Sequence, residues 1–182
     1  MLEATPLSAA RATSADRDAM LRVDQAGEYG ATRIYAGQLA VIGENGPTGR
    51  AIALMAAQEQ AHRVRFDAMM TRRGVRPTLL QPIWDVAGFA LGAATALVGP
   101  KAAMACTAAV ETEIGRHYAE QLEALGNDDP ELAETIAEFR EEELGHRDAA
   151  IAFGAEDAPA YPLLSGAIRL GCRLAIGLSR RI

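Results

Sequence analysis

Along most of this chain apolar residues return every three or four positions, the spacing of one face of an α-helix, and no segment sustains the period-two alternation of a strand. Glycine and proline interrupt the pattern at five places: Gly43 to Pro47, Gly74 to Pro82, Gly99-Pro100, Gly126 to Pro130 and Ala158 to Pro162. These residue types end helices and open new ones. The pattern predicts six helices, near 14–43, 48–73, 82–98, 101–125, 130–153 and 163–180. In the first, Leu21, Gln25, Glu28, Thr32, Tyr35 and Leu39 share a face. In the second the face is Ile52, Met55, Glu59, His62, Phe66 and Met69; in the fourth, Met104, Thr107, Glu111, Ile114, Tyr118 and Leu122. In the fifth it is Leu132, Ile136, Phe139, Glu143, His146 and Ala150. Each of these four stripes carries a glutamate at its centre. A carboxylate on a buried face is costly unless it is paired or holds a metal.

The stripes are also related to one another. Glu28 precedes an E-x-x-H pair, Glu59 and His62, by 31 residues, and Glu111 precedes a second, Glu143 and His146, by 32. The offset between halves is 83 to 84 residues at all three positions. The repeat is one of helix pairs and polar residues rather than of overall sequence.

Composition agrees with a helical domain. Of 182 residues 49% are hydrophobic and only 5% aromatic, a mixture rich in alanine and leucine. The formal charge of -6 argues against a general nucleic-acid binder, which needs clustered Lys and Arg. Four carboxylates neutralised by two divalent ions would bring that charge to -2. Cys106 and Cys172 form no CxxC pair and read as reduced cysteines of the core. Residues 1–13 resemble neither an export signal nor a transit peptide and read as a flexible leader before a single domain, 14–182.

A Glu on each of two helices and E-x-x-H on each of two others is a recurrent way to hold two metal ions inside a four-helix bundle. Residues three apart lie on adjacent turns of one face, so Glu and His of each pair reach the same interior point. The expected ligands are Glu28, Glu59, His62, Glu111, Glu143 and His146. An oxygen-rich set with some imidazole suits iron or manganese better than zinc. The fold class that follows is all-α, a ferritin-like four-helix bundle with a di-iron carboxylate site and two further apolar or amphipathic helices. Asp24, one turn before Glu28, is a candidate partner for a ligand histidine. Tyr35 and Tyr118 stand two turns after the lone glutamates and read as core residues with satisfied hydroxyls. Glu113, Glu120, Glu123, Glu134, Glu138, Glu141 and Glu142 read as solvated face.

The other two helices carry different information. Ile83 to Val98 is apolar apart from Asp85, too short to span a bilayer easily, and holds Gly88 and Gly92 at a spacing that allows close helix contact. The last helix mixes Leu and Ile with Arg169, Arg173, Arg180 and Arg181, as in helices that lie on anionic membranes. Together they point to a lipid-like substrate reached from a membrane surface.

Four strings carry a resemblance: Leu21 to Ala31 (LRVDQAGEYGA), Ala105 to Tyr118 (ACTAAVETEIGRHY), Phe139 to Asp148 (FREEELGHRD) and Ala158 to Leu178 (APAYPLLSGAIRLGCRLAIGL). They resemble the demethoxyubiquinone hydroxylase family of ubiquinone biosynthesis, from about Asp18 to the C-terminus. The resemblance implies the same six ligands and carries the family's HY pair to His117 and Tyr118, a possible electron or proton relay. Gln25 stands where many relatives have His, and Arg147 where some have a second His. The implied reaction is hydroxylation of demethoxyubiquinol with O2 at two iron ions, with NADH as electron source. No GxGxxG or P-loop is present, so any NADH contact is unconventional, or electrons come through a partner. The implied setting is the cytoplasmic face of a bacterial cell (inner) membrane, as a peripheral protein taking a polyprenyl quinol, alone or from a lipid-binding partner. The competing readings are a ferritin-like iron store or peroxidase, a non-catalytic membrane-attached assembly factor, and a di-iron RNA hydroxylase, which the acidity disfavours.

Overall fold

A computed structural model describes residues 12–181 of the chain. Six α-helices account for most of them: α1 Ser14–Ile42, α2 Pro47–Arg73, α3 Gln81–Val98, α4 Pro100–Leu125, α5 Pro130–Ala152 and α6 Tyr161–Ser179. A one-turn 3-10 helix, Ala155–Asp157, lies between α5 and α6 and had no signal in the apolar pattern. The predicted helices are all present, with ends displaced by no more than two residues, and no strand occurs among the described residues. Most of the expected leader lies outside the described residues. Thr13, assigned to it, instead caps α1: its hydroxyl accepts from the Asp16 amide at 3.2 Å and its own amide donates to Asp16 Oδ2 at 3.0 Å. Prolines 47, 100 and 130 open α2, α4 and α5, where a missing N–H costs nothing.

The chain folds as two units of three helices. In the first, α1 packs against α2 and α3; in the second, α4 packs against α5 and α6. Gly99 alone separates α3 from α4. The α1–α2 and α4–α5 hairpins form the four-helix bundle. α4 is its most buried member: Ala102, Ala103, Ala105, Cys106, Ala108 and Ala109 are all buried, as expected of a helix whose first half is apolar all round. One core cluster gathers Phe66, Met69, Leu132, Ile136 and Phe139, a second Ala31, Tyr35, Ile52, Met55 and Met104.

The two outer helices are fastened differently. α3 lies on α1 through glycines. A Cβ on Gly92 would stand 2.0 Å from the Ile34 carbonyl oxygen, and one on Gly37 would stand 2.1 Å from that of Phe89. Only glycine permits this approach. Asp85, the one acid of α3, accepts from Tyr29 Oη at 2.9 Å and pairs with Arg33 Nε at 2.6 Å, both on α1. α6 is held to α4 by charge. Glu113 accepts from Arg169 Nε at 2.6 Å, Arg173 Nε at 2.9 Å and Arg116 Nε at 3.0 Å. This corrects the reading of Glu113 as solvated: it is fully buried, and Arg173 with Arg169 and Arg116 lowers its pKa to about 2 against the cost of burial.

Candidate metal centre

The four bundle helices bring all six predicted ligands to one point. Glu28 comes from α1, Glu59 and His62 from α2, Glu111 from α4, and Glu143 and His146 from α5, none more than 4% exposed. They form two overlapping groups, Glu28, Glu59, His62, Glu143 and Glu59, Glu111, Glu143, His146, and within each the ligand-type atoms lie within 4.8 Å of one another. Glu59 and Glu143 belong to both. Glu143 is placed as a bridge, with Oε1 3.2 Å from His62 Nδ1 and Oε2 3.2 Å from His146 Nδ1. His62 Nδ1 also lies 3.3 Å from Glu28 Oε2, and His146 Nδ1 3.0 Å from Glu59 Oε1. Both rings thus present Nδ1 to the interior.

Their outward nitrogens are held from outside. His62 Nε2 meets Glu142 Oε2 at 2.5 Å, and His146 Nε2 meets Gln58 Oε1 at 2.9 Å. The sequence reading placed Glu142 on the solvated face. It is half-buried instead, because the residue preceding each of the two shared glutamates turns toward the histidine of the opposite hairpin. The tyrosines cross over in the same way. Tyr35 of α1 donates to Glu111 Oε1 of α4 at 2.7 Å, and Tyr118 of α4 donates to Glu28 Oε1 of α1. Gln38 and Gln121, again 83 apart, also donate across the bundle, to Thr107 Oγ1 at 3.3 Å and Asp24 Oδ1 at 2.8 Å. The internal repeat therefore extends from the six inner residues to the layer around them.

The donor set fits divalent metal. Glu28 Oε2, both oxygens of Glu59, His62 Nδ1, Glu111 Oε2 and Glu143 Oε1 are buried without a hydrogen-bond partner. Buried polar atoms without partners are rare unless another group completes them. Burial, then repulsion by Glu143 and Glu28, raises the Glu59 pKa well above the carboxylate range, and burial with Glu143 raises Glu111. On His62 burial opposes the charge, but Glu143, Glu28 and Glu142 outweigh it and raise the pKa to about 11. Four carboxylates against two imidazoles leave an excess of negative charge that two divalent ions would neutralise.

The remaining candidates lie just outside. Asp24 is buried but pairs with neither His62 nor His146; its Oδ1 accepts from Gln121 and stands 3.8 Å from His117 Nε2. His117 turns inward rather than to solvent. Its side chain is 15% exposed, Gln121 Nε2 lies 3.0 Å from its Nε2, and burial lowers its pKa to about 4. It is neutral at physiological pH, with Nε2 as the acceptor. Gln25 donates to Asp67 Oδ1 at 2.9 Å, tying α1 to α2, and Arg147 pairs with its neighbour Asp148. Neither is among the inner six or their direct partners.

Beside the six residues an apolar cavity of about 580 Å³ runs between α1, α3, α4 and α6. Its wall includes Gly27, next to Glu28, and Ala31, one turn beyond it, Val110 next to Glu111, and Ile168 and Cys172 of α6. Trp84 Nε1 donates to Ser179 Oγ at 3.0 Å between α3 and α6, where both residues line it. The sequence reading tied α3 and α6 to a lipid-like substrate and a membrane surface. It gave no sign that they enclose a space, because Gly27, Gly30 and Gly171 line it by what they lack, with nothing within 4 Å of a Cβ there.

A bundle that directs two lone glutamates and two E-x-x-H pairs at one buried point defines the ferritin-like class of di-metal carboxylate proteins. Within that class, residues 15–179 match the family described as "Ubiquinone biosynthesis protein COQ7", and the chain belongs to it. Among its relatives, a "3-demethoxyubiquinol 3-hydroxylase" of Rhodospirillum rubrum is 56% identical over 165 residues, 91% of this chain and 78% of the relative. A human protein named "NADPH-dependent 3-demethoxyubiquinone 3-hydroxylase, mitochondrial" is 51% identical, covering 91% of this chain and 77% of its own length. The "5-demethoxyubiquinone hydroxylase, mitochondrial" of Saccharomyces cerevisiae is 42% identical over 97% of this chain and 82% of its own length.

Proposed function

We infer that this chain is a demethoxyubiquinol hydroxylase of ubiquinone biosynthesis, acting through two iron ions held by Glu28, Glu59, His62, Glu111, Glu143 and His146. The observation that carries this is the juxtaposition of the buried carboxylate–histidine cluster with an apolar cavity whose wall includes the neighbours of Glu28 and Glu111. When bound, the irons supply the reduction and splitting of O2 that ring hydroxylation needs. A ring C–H becomes C–OH, the second oxygen atom leaves as water, and a reductant supplies two electrons and two protons. An iron store needs no such cavity.

The chain's own residues do the rest. Val110, Ile114, Ile34 and Ile168 form a dry wall against the quinol ring and exclude water from the cluster. Tyr118 and Tyr35 fix the two lone glutamates by hydrogen bonds from the far helix. His117, neutral and hydrogen-bonded to Gln121, is linked through it to Asp24, one turn before Glu28. The reductant is a nicotinamide nucleotide, NADH by the sequence reading, although the human relative is named for NADPH. Comparing His117→Leu driven by NADH or NADPH with the same variant given pre-reduced quinol tests a relay at His117 and Tyr118. A relay loses activity only with the nucleotide.

No helix among the described residues is long and apolar enough to cross a membrane. α3 and α6 do present apolar side chains outward: Ile83, Val86 and Leu97 on one, Leu163, Leu170 and Leu174 on the other, each at least 55% exposed. This supports peripheral attachment to the cytoplasmic face of the cell membrane, where a polyprenyl tail enters from the bilayer or from a lipid-binding partner protein. Liposome flotation of the unmodified chain is expected. The deciding experiment for the activity loads the chain anaerobically with two ferrous ions, then adds O2 and reduced demethoxyquinol. Gain of one oxygen atom in the product is expected, and an unchanged quinol at full iron loading overturns the reading.

A further inference from the structure

The inner residues and their immediate partners repeat closely, so the places where the repeat fails are informative. Residue for residue, Glu28 answers to Glu111, Tyr35 to Tyr118, Glu59 to Glu143 and His62 to His146, at offsets of 83 or 84. At the same offset, Gln58 answers to Glu142. These two hold the outward nitrogens of the two ligand histidines, but one is a neutral amide and the other a carboxylate.

We propose that Glu142 makes the two metal positions unequal, so that the position of Glu28 and His62 fills before that of Glu111 and His146. The proposal rests on the metal-centre reading above and adds an order to it. Both positions draw on Glu59 and Glu143, and each adds one lone glutamate and one histidine Nδ1. Inner ligands therefore give neither an advantage, and the difference lies behind the rings. A carboxylate accepting the Nε2 proton of His62 pulls electron density into the ring and strengthens Nδ1 as a donor; the Gln58 amide does so less for His146. The contact with Glu142 is also the shorter, 2.5 Å against 2.9 Å. His62 is held further by stacking on Phe139, ring centres 3.8 Å apart. The nearby cation does not cancel the effect: Arg65, 5.2 Å from the centre of the Phe139 ring, is already paired with Glu138 at 2.5 Å. Glu142 does not reach the metal points itself, so it is a positioning residue acting through His62.

The test uses the full metal-free chain and cobalt(II) alone, which leaves activity out of the readout. Visible absorbance follows binding, and anomalous scattering from crystals at one equivalent per chain locates the ion. The expected result is stepwise binding with the first ion at Glu28 and His62. Glu142→Gln weakens the first step about tenfold, as loss of such an outer partner does, and spreads the single ion over both positions. Gln58→Glu strengthens the second step instead and levels the two, an independent check if one variant folds poorly. Even occupancy in the unmodified chain, or an unchanged preference in Glu142→Gln, overturns the proposal while leaving a two-metal centre intact. Failure to bind cobalt at all would overturn the metal centre and this order together.

Discussion

The chain is two three-helix units of the same plan, α1–α3 and α4–α6, and they differ most in their third helix. α3 is pressed onto α1 along glycines, where an added Cβ would run into backbone. In α6 the glycines at 166, 171 and 177 have nothing within 4 Å of a Cβ, and the helix is held chiefly by arginines on the buried Glu113. The tie is reversed in sign as well: α3 offers the acid and α1 the cation, whereas α6 offers cations and α4 the acid. One third helix is thus sealed to its partner and the other leaves room. The cavity lies where that room is, between a closed wall and an open one.

The largest effect tests what the units share. Glu59→Ala or Glu143→Ala removes the carboxylate common to both metal positions. Activity should fall by roughly a hundredfold or more, since loss of an outer partner alone costs 10–100-fold. Metal analysis should find both ions lost, and far-UV circular dichroism should find the helices retained. Full activity in either variant would end the assignment.

The next effects separate the third helices. Gly92→Val pushes α3 off α1 and should cost about 2–3 kcal/mol, read by urea denaturation. Gly171→Ala on α6 meets open space and should be neutral or gain up to about 1 kcal/mol from helix propensity. Equal losses at both positions would erase the contrast. His117 gives a pH dependence of similar size. Its folded pKa is lowered from 6.5 to about 4, so below pH 6.5 the unfolded chain binds a proton that the folded chain does not. Stability should therefore fall as pH drops from 6.5 toward 4, by about 2 kcal/mol at pH 5. His117→Asn should flatten that slope, measured as denaturation midpoints across the range. The remaining effect is on binding: Gly171→Leu fills the cavity from α6 and should raise KM for a long-tailed quinol roughly tenfold. A short-tailed analogue should be affected less, and no change with either would place the tail elsewhere.

The sequence made the bundle and its six inner residues legible for one physical reason. A glutamate centred on an apolar stripe needs a partner, and four such stripes in a repeat of E and E-x-x-H leave few alternatives to a shared interior point. Reading failed where a side chain's neighbour comes from another helix. Glu113 and Glu142 sit among other glutamates on their helices and look solvated, yet one is buried under α6 and the other is turned toward a histidine of α2. Asp24 illustrates the opposite error: proximity to Glu28 suggested a ligand histidine as its partner, but Gln121 lies between it and His117. Periodicity reports which face of a helix is buried. It does not report what buries it.

Each half of the centre is incomplete by one oxygen donor group. Glu28, Glu59 and His62 come from the first unit and lack Glu143; Glu111, Glu143 and His146 come from the second and lack Glu59. The two units thus clasp by trading a carboxylate, and the one residue joining them covalently is Gly99. Were the backbone opened there, bound ions would add to the shared core and to the Tyr35–Glu111 and Tyr118–Glu28 hydrogen bonds in holding two separate pieces together. Metal binding and the pairing of the two pieces would then be linked, each strengthening the other, so that pairing would tighten as the concentration of free ion rises.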